Sequence, residues 1–289
     1  MNFALQMALS IALPIALPQT GAFDLKLPAG LVPAIPAPAK VLVTVGGVPI
    51  RAQDVQPYLW DWASQGAVQE LVSYQIVAGE AAKLKVSVAD TDVAKAVRAQ
   101  MEQYRQQLPP GTNLDSALRE KGFSPSRLHI VIKTDLLLEK ITMRDFKPEG
   151  FVKVATIVVK PASESVADLG TAIQLAQSAH ERLKKGETWS KVLADVVKDE
   201  NAKKNDGLLG WRSFEAFPAA TQKVLRELPV GGLTEPVQTS FGLQIFRVLG
   251  QGKGASGEDA EQIKAQFLGT ARAKVLNRLR QDVKIVWSK

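Results

Sequence analysis

The chain has 289 residues, of which 46% are hydrophobic, and this length suits two modest domains better than a single core. Its formal net charge of +7 arises from 36 Lys and Arg residues scattered among 29 acids, so the composition indicates a solvated basic surface and gives no support for nucleic acid binding. The chain has no cysteine, which excludes disulfides, thiolate nucleophiles and thiolate zinc sites.

The first 40 residues are predicted to precede the folded part of the chain. Residues 3–13 form an apolar run, and the small and helix-breaking residues after it suit a cleavage region. The pattern predicts a signal peptide or a short membrane anchor, with a simple apolar arm as the alternative. The run is too short and interrupted for a stable membrane span. Four prolines within residues 28–40 predict an extended tether.

Residues 41–150 are predicted to form a mainly helical domain. Residues 41–45 form a β-rich run that ends at a Gly-Gly turn signal. Apolar residues then recur at helical spacing in three segments, residues 69–84, 90–108 and 124–143. The predicted N-caps of the helices in this region are Asp90, Asn113 and Ser124.

The pattern changes after Gly150 to alternating strands and helices. Strands are predicted at residues 152–159, 208–212, 233–239 and 241–249. Helices are predicted between them at residues 166–185, 188–197 and 219–228. A long helix over residues 258–280 and a strand over residues 283–287 complete the chain. The expected fold class is α+β, with one compact sheet wrapped by helices.

Two motifs, about 25 residues apart, carry a family resemblance. They are Leu-Leu-Gly-Trp-Arg at residues 208–212 and Pro-Val-Gln-Thr-Ser-Phe-Gly-Leu-Gln-Ile at residues 236–245. These motifs resemble the Gly-Asp-Leu-Gly-Trp turn and the Pro-Val-x-Thr-x-x-Gly-x-His-Ile hairpin of parvulins, which are small prolyl isomerases. The N-terminal order of strand, Gly-Gly-x-Pro-Ile and helix is similar to that of SurA- and PrsA-type extracytoplasmic foldases. The combined resemblance covers residues 41–289.

The resemblance implies a helical chaperone domain, completed by the C-terminal helix and strand, with an inserted parvulin-like domain built on a four-stranded antiparallel sheet. Residues 283–287 are then expected to pair with residues 41–45. The implied parts are the apolar segment and tether at 1–40, the SurA-like chaperone domain at 41–150, the parvulin-like domain at 151–250, and the hinge, long helix and strand at 251–289.

The resemblance also assigns site residues by position. The two histidines that parvulins place at the sheet centre fall on Thr156 and Gln244. The acidic or cysteine position falls on Glu200 without gaps, or on Asp199 if one residue is inserted, and a solvated acidic loop is the alternative for both. Substrate-binding positions are implied at Leu209, Phe217, Thr221 and Phe241, with Thr221 in place of the usual Phe.

Isomerisation of a prolyl bond requires no nucleophile. Rotation faces a barrier of about 18–20 kcal/mol because the amide loses its resonance. A catalyst therefore needs an apolar cup for the proline ring and a polar centre that favours the twisted amide. A Thr hydroxyl and a Gln amide can hydrogen-bond each other, so Thr156 and Gln244 are predicted to pin their strands together without a titratable group.

The resemblance therefore implies a foldase or chaperone that binds unfolded, exported polypeptides containing Xaa-Pro bonds, with isomerase activity weak or lost. A working isomerase that uses Glu200 stays open. The rival from another class is a catalytically inactive parvulin fold that docks one fixed partner. No cofactor and no nucleic acid partner are expected. The expected location is extracytoplasmic, with membrane association through the N-terminus left open.

Two other features carry weaker signals. Residues 252–257 match Gly-x-Gly-x-x-Gly before a helix, but the βα units and the acid of a dinucleotide site do not follow, so a hinge between domains is the favoured interpretation. His129 and His180 lie on separate helical segments without metal-ligand spacing, and both are predicted to lie at the surface.

Overall fold

The computed structural model describes residue 23, residues 25–32 and residues 34–287, so the predicted signal or anchor segment lies outside the described residues. Contacts between Cα atoms divide the chain into two compact units. The first unit runs to Gln75 and includes Ala89–Lys133, and the second comprises Ile76–Val88 and Thr134–Lys289. The chain is mixed helix and sheet, which confirms the predicted fold class.

The first unit begins with an antiparallel ribbon of two strands, β1 (Val41–Val45) and β2 (Val48–Arg51). Gly46 and Gly47 have φ values of +57° and +84°, so they close the two-residue turn that the sequence signalled. All five residues of β1 are exposed.

The strand predicted at residues 283–287 is wrong within the described part of the chain. β1 pairs with β2 there, and residues 284–287 form no strand. The two-residue turn brings β2 beside β1 at little cost in chain entropy.

Four helices follow, α1 (Ala52–Lys83), α2 (Asp90–Arg105), α3 (Leu114–Glu120) and α4 (Pro125–Met143). Two predicted N-caps are confirmed, since the side chains of Asn113 and Ser124 accept from Ser116 N at 3.0 Å and Arg127 N at 3.3 Å. The third is wrong, because Ala89 is the N-cap and Asp90 is the first helical residue.

The second unit carries the remaining strands and helices, together with the C-terminal parts of α1 and α4. The strands are β3 (Phe151–Val159), β4 (Leu208–Ser213), β5 (Val237–Thr239) and β6 (Gly242–Gln251). The helices are α5 (Val166–Lys184), α6 (Trp189–Val196), α7 (Glu200–Lys204), α8 (Ala219–Glu227) and α9 (Gly257–Asp282). The four strands form one antiparallel sheet, as predicted, and their order in it is β4-β3-β6-β5.

The central strand β3 is buried on both faces, which explains its nearly continuous run of apolar residues. Ile157 and Val159 pack with α5 and α6 on one face, while Val152 and Val154 pack with Phe246 on the other. Side chains alternate between the faces of a strand, so the two cores meet at β3. Each fully buried aliphatic or aromatic side chain stabilises the fold by about 1.5–3 kcal/mol.

The long helix α9 is tied to the sheet by one carboxylate. Asp259 Oδ1 accepts from the Trp211 indole and from Lys153 Nζ, each at 2.9 Å. The hydrogen bond from Trp211, followed by that from Lys153, lowers the pKa of Asp259 below its usual value. Phe267 of α9 also packs against Phe146, with ring centroids 5.2 Å apart.

The glycines of residues 252–257 have a packing explanation at Gly252. A Cβ built there would lie 1.9 Å from the carbonyl oxygen of Pro148, so only glycine allows this close approach.

The two histidines, His129 and His180, are both buried, with 3% exposure each, and the prediction that they lie at the surface is wrong. His180 Nδ1 lies 3.1 Å from Glu235 Oε2, and burial, followed by the charge of Lys133, lowers the pKa of His129.

Candidate functional site

A cavity of about 1230 Å³ opens beside the sheet of the second unit. Its walls come from β3, β4, β6 and α5, together with the loops around α7 and the hairpin between β5 and β6. Five of the seven residues assigned from the sequence line it, namely Thr156, Leu209, Phe217, Phe241 and Gln244. We call this cavity the cleft.

Thr156 and Gln244 meet on the sheet surface of the cleft, as predicted. Gln244 Nε2 donates to Thr156 Oγ1 at 3.4 Å, and the two residues are 7% and 6% exposed. The register explains the contact, because Gln244 pairs with Val158 on β3, two positions from Thr156 and on the same face. The strands are therefore linked here by two neutral side chains.

The close approach of β4 to Thr156 depends on Gly207. Thr156 N donates to Gly207 O at 2.9 Å, just before β4 begins. Gly207 has a φ of +66°, and a Cβ built on it would lie 2.2 Å from the carbonyl oxygen of Thr156. A side chain here would collide with the backbone, so glycine is required at this position.

An apolar cup lies next to the polar pair. Leu209 and Phe217 line it as expected, and the ring of Phe217 meets that of Phe246 edge to face, with centroids 5.3 Å apart. Phe246 was missed by the sequence reasoning. Its position two residues after Gln244 on a strand places it on the same face, and this spacing is the signal that could have found it.

Two assigned residues differ in their exposure. Phe241 lies at the rim and is 69% exposed, so it offers a large apolar surface to a bound chain. Thr221 is 1% exposed and does not line the cleft, and its hydroxyl has no hydrogen-bond partner among the described residues. The structure therefore brings Phe241 to the site and keeps Thr221 away from it.

The two candidate acids separate in the structure. Asp199 lines the cleft, and its carboxylate accepts from Asn201 N at 2.8 Å and Ala202 N at 3.2 Å as the N-cap of α7. Glu200 lies outside the cleft lining, with 72% of its side chain exposed, and pairs with Lys203 at 2.9 Å. The geometry thus favours Asp199, the alternative that assumes one inserted residue, and Glu200 fits the solvated loop.

Several charged residues of the cleft were not found from the sequence. Lys160, Lys198 and Arg212 line it, as does Asp168. The hydroxyls of Ser163 and Ser165 hydrogen-bond the Asp168 carboxylate and lower its pKa. Among the residues that the structure describes, no group of three or more His, Cys, Asp and Glu side chains is arranged to hold a metal ion.

Comparison with known proteins gives a consistent result. Residues 157–250 match the family model of the rotamase, or PPIC-type PPIase, domain. Chaperone SurA of Aromatoleum aromaticum is 26% identical over 188 residues, covering 57% of this chain and 43% of that protein. Foldase protein PrsA of Geobacillus kaustophilus is 27% identical over 165 residues, covering 57% of this chain and 56% of that protein. The matches thus span about half the length of these curated relatives.

A solved structure was also found to be similar. The peptidylprolyl isomerase PrsA from Bacillus cereus aligns over 88% of this chain and 95% of its own length, with 19% sequence identity and a TM-score of 0.44.

Proposed function

We propose that this chain is a foldase that binds unfolded, exported polypeptides and isomerises Xaa-Pro bonds weakly or not at all. The chain carries a PpiC-type rotamase domain in residues 157–250 and is homologous to SurA and PrsA. The observation that carries this proposal is the apolar cleft in which Thr156 and Gln244 form a neutral, mutually hydrogen-bonded pair. The relatives named as a chaperone and a foldase support the substrate class.

The cleft is better suited to binding than to rate enhancement. The cup of Leu209, Phe217 and Phe246 can take the proline ring whether its amide is planar or twisted. Such uniform binding lowers the dissociation constant without accelerating the reaction. Acceleration requires groups that act only on the twisted amide, and the polar pair offers for this only neutral donors, the Thr156 hydroxyl and the second N–H of the Gln244 amide.

Extended polypeptides can use the surfaces around the cleft as well. Phe241 and Leu208, which are 69% and 45% exposed, provide apolar contacts at its rim. β4 and β5 are the outer strands of the sheet, so a bound segment can add hydrogen bonds along an edge. Contacts of this kind select weakly among sequences, which suits a broad range of clients.

The proposed location is extracytoplasmic, and it is supported by the apolar run at residues 3–13 and by the resemblance to exported foldases. None of the helices among the described residues is both long enough and apolar enough to cross a membrane. Association with a membrane through the N-terminal segment remains part of the proposal.

The test is a protease-coupled isomerisation assay on a set of Xaa-Pro peptides, together with suppression of aggregation of unrelated unfolded proteins. We expect suppression of aggregation and a small isomerase rate. Asp199→Ala and Glu200→Ala form a matched pair, and only the first should alter peptide binding or rate. A rate as high as that of efficient prolyl isomerases would contradict the weak-activity part, and failure to bind any unfolded protein would contradict the whole proposal.

The second candidate function is an inactive parvulin fold that docks a fixed partner. The neutral pair of Thr156 and Gln244 is compatible with it, because this function needs no catalysis. Tight binding of one folded protein, without suppression of aggregation in any unfolded one, would favour this candidate.

A further inference from the structure

Arg212 lies on the same face of the sheet as Thr156. It pairs with Val152 of β3, and directly opposed residues of antiparallel strands share a face. Val152 is four positions from Thr156, an even number, so the two lie on one face. The neighbouring residue Trp211 confirms this alternation, because it pairs with Lys153 and both reach Asp259 on the other side.

The guanidinium of Arg212 is held in place without being neutralised. Arg212 is partly buried and lines the cleft, as do Leu209, Ala216 and Phe217. Its Nη1 donates to the carbonyl oxygen of Trp211 at 2.8 Å, and no carboxylate pairs with it among the described residues. A guanidinium carries five N–H donors, so others remain available to a ligand.

The electronic change during isomerisation defines which donor can help. In the planar amide the nitrogen lone pair is delocalised onto the carbonyl oxygen, and a donor to that oxygen favours the planar form. In the twisted amide the lone pair returns to the prolyl nitrogen, so a donor aimed at this nitrogen stabilises the transition state selectively. A cationic donor that is partly buried and held on a strand is well suited to this role.

We propose that Arg212 is a catalytic residue, and that its guanidinium donates a hydrogen bond to the prolyl nitrogen of a peptide whose proline ring occupies the cup. The inference rests on the proposed function and makes it more specific, since it assigns the weak isomerase activity to Arg212. No covalent bond is made or broken, and the donated proton stays on the guanidinium.

The other two cations of the cleft are placed differently. Lys160 directly follows Val159, beyond the end of β3, and Lys198 precedes the N-cap of α7. Along β3, Val159 and Val152 lie on opposite sides of Thr156, so Lys160 and Arg212 approach the cleft from opposite directions. Arg212 is the one of the three that a strand presents on the face of the cup.

The test compares the full chain with Arg212→Met and Arg212→Lys, using one Xaa-Pro peptide for both turnover and equilibrium binding. We expect Arg212→Met to lower kcat about tenfold or more while changing Kd less than about twofold, because the interaction exists only in the transition state. Arg212→Lys should retain part of the activity. Arg247→Met is the matched control, since Arg247 pairs with Ala155 on the other face and does not line the cleft.

Any other outcome overturns the role of Arg212, and one outcome also overturns the proposed function. Unchanged kcat in Arg212→Met, or a loss of kcat matched by Arg247→Met, overturns the role of Arg212. A raised Kd with preserved kcat in Arg212→Met also overturns this role, because it shows that Arg212 contacts a carbonyl or a side chain of the bound peptide. A wild-type chain that binds the peptide without isomerising it overturns the inference but leaves the binding function standing. Absence of both binding and isomerisation overturns the inference together with the proposed function.

Discussion

The side-chain amide of Gln244 donates to the hydroxyl of Thr156 across two neighbouring strands, and this contact occupies the polar centre of the cleft. Both side chains are buried. Removing one partner leaves the other buried and unsatisfied, which costs about 1–3 kcal/mol, whereas replacing both with apolar groups of similar shape can be nearly neutral.

Replacement of this pair should therefore be non-additive. We expect Thr156→Val alone to lower the free energy of unfolding by about 1–2 kcal/mol. The double variant with Gln244→Met should lose less than the sum of the single variants, with a coupling of about 0.5 kcal/mol or more. Urea unfolding of the four proteins measures the coupling, and additive losses would show that the hydrogen bond contributes nothing to stability.

Introducing two imidazoles at the polar centre should increase the isomerase rate. The double substitution of Thr156→His and Gln244→His places at these positions the side chains that the family resemblance implies. We expect kcat/KM for Xaa-Pro peptides to rise about tenfold, corresponding to about 1.4 kcal/mol of transition-state stabilisation. The protease-coupled assay measures it, with thermal unfolding as the check on folding. A folded double variant no faster than wild type would locate the limitation elsewhere in the cleft.

Gly207 should tolerate no side chain. Gly207→Ala combines a positive φ with a Cβ that would lie 2.2 Å from Thr156 O. We expect this variant to lose at least about 3 kcal/mol of unfolding free energy or to fail to fold. Gly210→Ala is the matched control, because Gly210 has a φ of +74° but no atom within 4 Å of its added Cβ. It should lose only about 1–2 kcal/mol from backbone strain. If chemical unfolding shows the same loss of unfolding free energy for Gly207→Ala and Gly210→Ala, the close approach to Thr156 O is not what makes glycine necessary at position 207.

Stability should fall in acid through Glu187. Hydrogen bonds from Arg182, followed by that from Lys191, lower the pKa of Glu187 from 4.5 to about 2, and the hydrogen bonds to Glu187 and Asp195 raise the pKa of Arg182. A carboxyl whose pKa is lowered on folding stabilises the fold above its unfolded pKa, and this contribution is lost as the pH falls through the folded pKa.

The difference in unfolding free energy between wild type and Glu187→Gln should therefore be largest above about pH 5 and shrink between pH 4.5 and about 2. Unfolding measured across this range gives the difference directly. Glu227→Gln, at a residue with no ion pair among the described residues, is the control for the loss of a carboxylate charge. If the difference in unfolding free energy between wild type and Glu187→Gln does not change with pH, the ion pairs of Glu187 do not stabilise the fold.

Much of the second unit could be predicted from the sequence because its signals are local. The alternation along β3 and the turn motif of residues 239–242 define the strands, and antiparallel pairing then brings Thr156 and Gln244 together. The N-caps Asn113 and Ser124 were likewise found from their own neighbourhoods.

Features that depend on tertiary packing were not predictable in the same way. The choice between Asp199 and Glu200 depends on which residue caps α7, and successive residues of a helical turn project in different directions. His180 is buried because α5 packs on the sheet, a contact that no local pattern encodes. Arg212 could be placed on the face of the cup only once its register with Val152 was known.

The contact of Trp211 and Lys153 with Asp259 has a consequence for modularity. The stretch recognisable as a rotamase domain ends at residue 250, yet the carboxylate that satisfies its buried indole lies on α9, beyond that end. Phe151 and Trp211 share a small core with Ile263 of the same helix. The matched stretch and the packed core therefore have different boundaries, and a gene rearrangement that transferred residues 157–250 alone would leave behind the first six residues of β3 as well as the helix that packs against the sheet.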